Sequence, residues 1–510
     1  MSLRTLISRS LGLDAFTDQA SLEFNSESAV SADFIAARRK FLFGGSLLAA
    51  IVAAGERKAR AGDPPSAEKW LVDRLTMGVT LAELAQAQTL GYSDYLEYQL
   101  AFDQIVEDPA LLARLANLTT LTMTADQLVP IPPGQVQNEL TEATILRSVF
   151  SRQQLFQRTV EFWTDHFNID INNGIDRSLK LIDDRDVIRA HALGTFAALI
   201  DASAHSPAML YYLDNYTNTV GNPNENYARE LMELHTMGVD GGYTQQDVQE
   251  VARCFTGWAL YNQNSGANSW HFRFNNAQHD NGAKTVLGNV INAGGINDGL
   301  AVLDILVNHP STAHFIATKL CRWFYAEDPP ATLIDSVATT YSGTGGDIKA
   351  MIRTIFDSVD PAAAPLKFKR PYHLYMSALR ATGATVNTIN GLRQNLLAAG
   401  QLPFAWSPPD GYPDRLDAWS GLLLPRWNFG ASMVMTNGVA GVVFSPTNFF
   451  TGATTIDQLM DRIDDALFGG FMDSDDKLKI RTFLNVNPAQ DQRRREAVGL
   501  AIAAPSYQWY

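Results

Sequence analysis

The chain has 510 residues, 46% of them apolar, enough for a sizeable core in one large domain or two to three smaller ones. Its formal net charge is −14, and no stripe of Lys and Arg breaks the acidic balance, which argues against a nucleic-acid partner. The two cysteines show neither CxxC nor Cys/His spacing, so neither a disulfide scaffold nor a cysteine-bound metal is expected.

The first landmark is Ala37-Arg38-Arg39-Lys40-Phe41-Leu42, followed by an apolar run from Phe41 to Ala54 and the small-x-small sequence Ala59-Arg60-Ala61. This is the pattern of a twin-arginine export signal. The run is shorter than the roughly 20 residues a bilayer span requires. Residues 1–61 are therefore expected to be a leader with signal peptide, cleaved after Ala61. The mature chain should be periplasmic or secreted, with no stable membrane span. Such a route carries folded chains, which suits loading of a divalent metal or other cofactor before export.

Beyond the leader, apolar recurrence at i, i+3 and i+4 predicts helices over 66–76, 80–88, 92–105, 109–126, 139–151, 153–167 and 184–202. The segment from Asn224 to Trp258 is the densest in ionisable, aromatic and glycine residues. Its spacing predicts a helix from Tyr227 to Met237, a turn through Gly238, Gly241 and Gly242, and a second helix opened by a Thr244/Asp247 capping box and closed by Gly257. On the first helix Tyr227, Leu231 and Leu234 form an apolar stripe, Arg229 and Glu233 pair on the opposite side, and Glu230 and His235 flank the stripe. The turn does not fit a calcium loop, because Thr236 and Gly238 would stand at its first and third ligand positions.

Strand patterns are scarce. Trp270 to Phe274 alternates and is expected to pair with Lys284 to Leu287 as one hairpin carrying His279 and Asp280 in its loop. Helices resume over 300–325, 347–357, 371–383 and 387–399, and a rigid loop runs from Trp406 to Pro413. The expected fold is all-α, a large single helical domain with one small β-hairpin insertion. It divides into an N-terminal helical part (62–150), a motif-bearing core (151–375) and a C-terminal helical and loop part packed on that core (376–510).

The block from Asn224 to Trp258 resembles the signature of the bacterial DUF1800 family. RLTMG at 74–78, FWTDHFNI at 162–169, HDNGAKTVLG at 279–288, GYPD at 411–414 and LLPRWNF at 423–429 agree with it, so the resemblance runs from about Trp70 to about Pro505. It implies an exported, mostly helical protein, often encoded beside a companion similar to the sulfatase and phosphatase superfamily. It supplies no catalytic residues.

All nine histidines lie between His166 and His373. His166 falls on the apolar side of its helix, where a histidine is either a satisfied core residue or a functional group. Glu230, at the margin of a buried stripe, is either an acid/base group with raised pKa or an arginine's partner. The expected catalytic set is Glu230, His235, His166 and Arg229, with Arg229 or Lys284 neutralising developing charge. Tyr227, Asn226, Trp258, Trp270 and Lys284 are expected to bind substrate, their flat rings and polar groups suiting sugars. No GxSxG elbow, phosphate loop or dinucleotide fingerprint follows a strand, which disfavours serine hydrolases, NTPases and Rossmann enzymes.

These residues favour a glycan-directed hydrolase or lyase working by acid/base chemistry on a carbohydrate. A metal-dependent or redox enzyme is the alternative, with His166, Glu230, His235, His279 and Asp280 as candidate ligands. A third reading is a non-enzymatic envelope scaffold for the sulfatase-like companion.

Overall fold

The computed structural model describes residues 31, 33–36, 65–262 and 264–510. The twin arginines, the apolar run after them and the expected cleavage point lie outside the described residues. The described chain is predominantly helical, with three small two-stranded sheets.

Helix ends follow side-chain chemistry. Ser66 Oγ accepts from the Lys69 amide at 3.2 Å to open Ala67–Leu75, and Asp347 Oδ1 accepts from the Ala350 amide at 2.8 Å to open Ile348–Asp357. The expected box of Thr244 and Asp247 opens Gln245–Cys254. Three long predicted helices are broken, among them 184–202, which becomes the π-helix Asp183–Arg189 and the α-helix Phe196–Ala204. Residues 109–126 form Pro109–Ala116, a 3₁₀ turn at Thr119–Thr122 and Ala125–Leu128. Residues 300–325 divide at Pro310, where His309 Nδ1 accepts from the Ser311 amide at 3.2 Å, giving Asn297–Val307 and Pro310–Phe324.

Two large hydrophobic clusters form the interior. The first runs from Trp70 to Phe356, with Phe404; the second is built mainly from residues 372–507. The helix Pro133–Phe150 belongs to both, giving Val136 and Leu140 to the first and Ile145, Leu146 and Val149 to the second. The second cluster also takes in Phe34, which is 1% exposed and meets Phe483 edge to face at 6.3 Å. Around it, Ser31 donates to both Glu496 carboxylate oxygens, and Asp33 pairs with Arg493 at 2.7 Å. Part of the expected leader thus packs into the body of the fold.

The expected hairpin pairing is corrected. Phe272–Phe274 pairs antiparallel with Trp258–Leu260, and Lys284–Val286 pairs with Asn289–Ile291. Leu287 and Gly288 both have positive φ (49° and 77°), so they form the two-residue turn that matches strand twist and closes Lys284–Val286 on its immediate neighbour. Gly257 (φ 80°) turns Trp258–Leu260 toward Phe272–Phe274, and its carbonyl accepts from the Asn275 amide at 2.7 Å. The third sheet, Thr385–Val386 with Val442–Val443, has no counterpart in the sequence pattern.

No described helix is long and apolar enough to cross a membrane. Cys254 and Cys321 are both buried and unpaired.

Candidate functional site

The predicted Tyr227–Met237 helix is an α-helical turn, Asn226–Glu230, continued by a π-helix, Leu231–Thr236. Its wider spacing appears in Thr236 Oγ1 donating to the Leu231 carbonyl at 2.7 Å and the Met237 amide to the Met232 carbonyl at 2.9 Å. The extra residue per turn rotates the side chains beyond it about the helix axis. Leu234, placed on the apolar stripe by α spacing, is only half-buried, and His235 takes the interior position at 1% exposure.

His235 meets His166 inside. His166 Nε2 lies 3.0 Å from the His235 carbonyl oxygen, which can only accept, so Nε2 carries the proton. Among the described residues, neither His166 Nδ1 nor His235 Nε2 has a hydrogen-bond partner. Phe162, Trp163, Phe167, Phe196 and Phe315 surround the His166 ring at centroid distances of 4.5–6.4 Å. Burial, helped by the Lys319 charge, holds the His166 pKa well below the ordinary histidine value and pushes His235 down to about 3. Both rings are neutral at physiological pH.

The 406–415 loop is clamped over this helix end. Asn168 Nδ2 donates to the carbonyls of Trp406 (2.9 Å) and Pro408 (2.7 Å), and the Tyr212 hydroxyl donates to the Ser407 carbonyl at 2.5 Å. Gly411 (φ 74°) lies so close to the Asp165 carbonyl that a Cβ there would overlap it. Arg370 joins the layers by pairing with Asp165 at 2.6 Å and with Glu161. A cavity of about 190 Å³ remains between loop and helices, lined by His166, Lys319, Arg322, Asp410, Tyr412 and Arg415 among others. Lys319 makes no ion pair or hydrogen bond among the described residues; burial pushes its amine down to about 8 against the pull of Asp165 and Asp410.

The charge of Asp410, a lining residue, is also felt by Glu230. Burial first, then the charges of Glu233 and Asp410, raise the Glu230 pKa against the opposing pull of Arg229. Trp406 Nε1 donates to Asp410 Oδ1 at 2.8 Å, and the Trp406 ring stands 5.1 Å from Tyr412. The cavity is therefore lined by the Asp410 carboxyl on an exposed loop, the Lys319 amine, a neutral imidazole and the Tyr412 ring, and the Asp410 charge reaches Glu230, whose pKa is raised. Asp176 is buried with Oδ1 unpartnered among the described residues, and burial pushes its pKa up to about 9.

Of the sequence-nominated residues, His166 lines this cavity and His235 packs behind it, while Glu230 is related to it through the charge of Asp410 alone. Arg229 lies on the helix surface, 3.1 Å from Glu225, 3.5 Å from Glu233 and 2.9 Å from Gln245. Tyr227 and Trp258 are core residues meeting Phe255 at 5.1 and 4.9 Å, Asn226 is exposed, and half-buried Trp270 stands 6.2 Å from Tyr211. His279 is held at both ring nitrogens, 2.8 Å from the Thr256 carbonyl and 3.1 Å from Asp298. Lys284 pairs with the same Asp298 at 2.5 Å, and Asp280 with Arg253 at 2.8 Å. The segment carrying His279 and Asp280 is thus occupied by its own contacts, and the 406–415 loop, not this segment, packs over the His166 helix end. Among the described residues no three His, Cys, Asp or Glu side chains converge as a metal site. Asp410 and Lys319 carry little signal in the sequence; the only pointer is an aspartate within the Pro- and Gly-rich Trp406–Pro413 loop.

A family model described as "Protein of unknown function (DUF1800)" matches residues 70–509. No curated protein and no solved structure matches the chain.

Proposed function

This chain belongs to the DUF1800 family of proteins of unknown function, and we propose from its own cleft that it is an exported acid/base enzyme cleaving glycans. The observation that carries the reading is electrostatic: the charge of Asp410, whose carboxylate accepts from the Trp406 indole, acts on the half-buried carboxyl of Glu230 from a distant segment and helps raise its pKa. Glycoside cleavage needs one carboxyl that is protonated to donate to the leaving oxygen and a second to act as base or nucleophile. Glu230, with its raised pKa, is the donor and Asp410 the second group. Trp406 and Tyr412 offer faces for a sugar ring, and Lys319 neutralises charge that develops on the substrate. Export rests on the twin arginines at 38 and 39.

The test is a panel of neutral and acidic polysaccharides incubated with purified protein. Reducing ends report hydrolysis, and the ultraviolet absorbance of an unsaturated product reports lyase chemistry. Product from wild type, lost in Glu230→Gln and Asp410→Asn, is expected. Failure on every polymer, or full activity in Glu230→Gln, sinks the proposal.

One observation favours the scaffold reading as a second: an open groove of about 1260 Å³ between the Gly238 turn and the helices Pro310–Phe324 and Ala331–Thr344, with Val239 exposed at its edge. It expects co-purification with the sulfatase-like companion that Val239→Asp abolishes; unchanged co-purification removes it.

A further inference from the structure

Lys319 is held differently from the other lysines of the interior. Lys180, Lys284 and Lys367 are buried, and an aspartate engages each of them at 2.5–2.6 Å. Lys319, on the helix Pro310–Phe324, is half-buried and lines the cavity of about 190 Å³. Among the described residues its Nζ has neither an ion pair nor a hydrogen bond, and it is not one of the polar atoms sealed from solvent. The Phe315 ring centroid stands 5.5 Å from it.

A carboxylate in contact fixes a lysine as a cation, and Lys319 lacks one. Phe162, Trp323, Tyr412 and Pro413 wall its cavity, and Arg322 lines it with like charge. Burial, with Arg322 adding to it, pushes the amine down to about 8 against the pull of Asp165 and Asp410. About one such amine in ten is unprotonated at pH 7, against roughly a few in ten thousand for an ordinary lysine. Desolvation and a neighbouring cation are the two conditions that make a lysine nucleophilic.

We propose that Lys319 captures a small aldehyde in this cavity as a reversible imine. The volume lies below the roughly 300–1,000 Å³ of drug-sized sites, so the occupant is small. The Nζ lone pair adds to the carbonyl carbon, the carbonyl π electrons move to oxygen, and that oxygen takes up a proton as the nitrogen gives one up. The hydroxyl of the resulting carbinolamine is then protonated and leaves as water while the nitrogen lone pair closes the C=N bond. Nothing is oxidised or reduced, and water reverses the step. Asp165 and Asp410 line the same cavity as carboxylates for the proton transfers. The iminium nitrogen stays positive, so the charge that Lys319 offers in the proposed function is retained. Capture requires neither Glu230 nor glycan cleavage.

The test treats the full chain with limiting propionaldehyde and cyanoborohydride, which reduces an imine to a stable alkylamine, and maps the labelled lysines by peptide mass. At pH 7.5 Lys319 should be labelled at least about tenfold faster than the exposed Lys479. In denaturant, where the cavity is gone, that preference should vanish. Lys319→Arg should lose the fast label while its melting temperature stays near wild type. Labelling of Lys319 no faster than Lys479, a preference that survives denaturation, or a fast label that persists in Lys319→Arg each overturns the proposal. The comparison of the two lysines in wild type needs no variant to fold.

Discussion

The His166 imidazole donates from Nε2 to the main-chain oxygen of His235 across 3.0 Å, tying together two residues 69 positions apart. The bond needs the carbonyl presented by the π-helical turn and a ring whose proton sits on Nε2. It leaves Nδ1 as a buried acceptor. His166 therefore couples the end of one motif helix to the distorted turn of another, and Lys319 shifts both rings.

Glu230→Gln keeps the size of the side chain and removes its proton chemistry. Turnover on the identified glycan should fall roughly 10²- to 10⁴-fold, with the melting temperature nearly unchanged because the residue is half-buried. Melting curves beside initial rates check this. A parallel loss of stability would reassign Glu230 to structure.

Gly411→Ala should be far more damaging than its size suggests. The new Cβ overlaps the Asp165 carbonyl and forces a positive φ on an alanine, together costing about 2–4 kcal/mol or displacing the loop. Loss of activity with a lower melting temperature is expected, and a wild-type profile would show that the loop is not clamped.

Acid should weaken the fold through its buried histidines. His166, His235 and His373 have lowered pKa values in the folded chain, so each takes up a proton on unfolding. Their contribution is complete above the unfolded value near 6.5 and is lost as pH falls toward the folded values, about 3 for His235. Denaturant melts from pH 7 to 4 should show stability falling with pH, less steeply in His235→Gln by up to about 1.4 kcal/mol per pH unit. Equal slopes in the two proteins would place a charged His235 in the fold.

Asp176 works in the opposite sense. With a folded pKa of about 9 it must hold a proton that the unfolded chain releases near 3.8. Its contribution is full below pH 3.8 and is lost progressively as pH rises toward 9. Asp176→Asn should therefore raise the melting temperature at pH 8 by about 2 °C or more, with the gain fading toward pH 4. A variant less stable at pH 8 would mean that the carboxylate is held by contacts of its own.

Neither thiol should react in the native protein. Burial pushes Cys254 and Cys321 each up to about 12, and only thiolates attack. Ellman titration is expected to find none until denaturant is added, then two per chain; early reaction would reveal local opening.

The helices and their caps were legible because Ser66, Thr244 and Asp347 announce themselves locally. Strand partners were not. Trp270 to Phe274 shows alternation, but its choice of Trp258–Leu260 depends on Gly257 and on a Leu287-Gly288 turn whose leucine is an unusual carrier of positive φ. The π-helix was invisible for a related reason: nothing in Leu231–Thr236 departs from α periodicity until packing inserts the extra residue. Glu230 and His166 could be nominated by type and position. Asp410 could not, because its electrostatic effect on Glu230 depends on how the chain folds two segments that sequence spacing does not relate.

Phe34 makes processing and folding a single question. If cleavage occurs after Ala61, as the sequence predicts, the second core gives up a whole aromatic side chain, and Glu496 and Arg493 lose Ser31 and Asp33. Folded precursor and trimmed product would then be two proteins of unequal robustness. A peptide so released would carry away with it one buried ring of the second core.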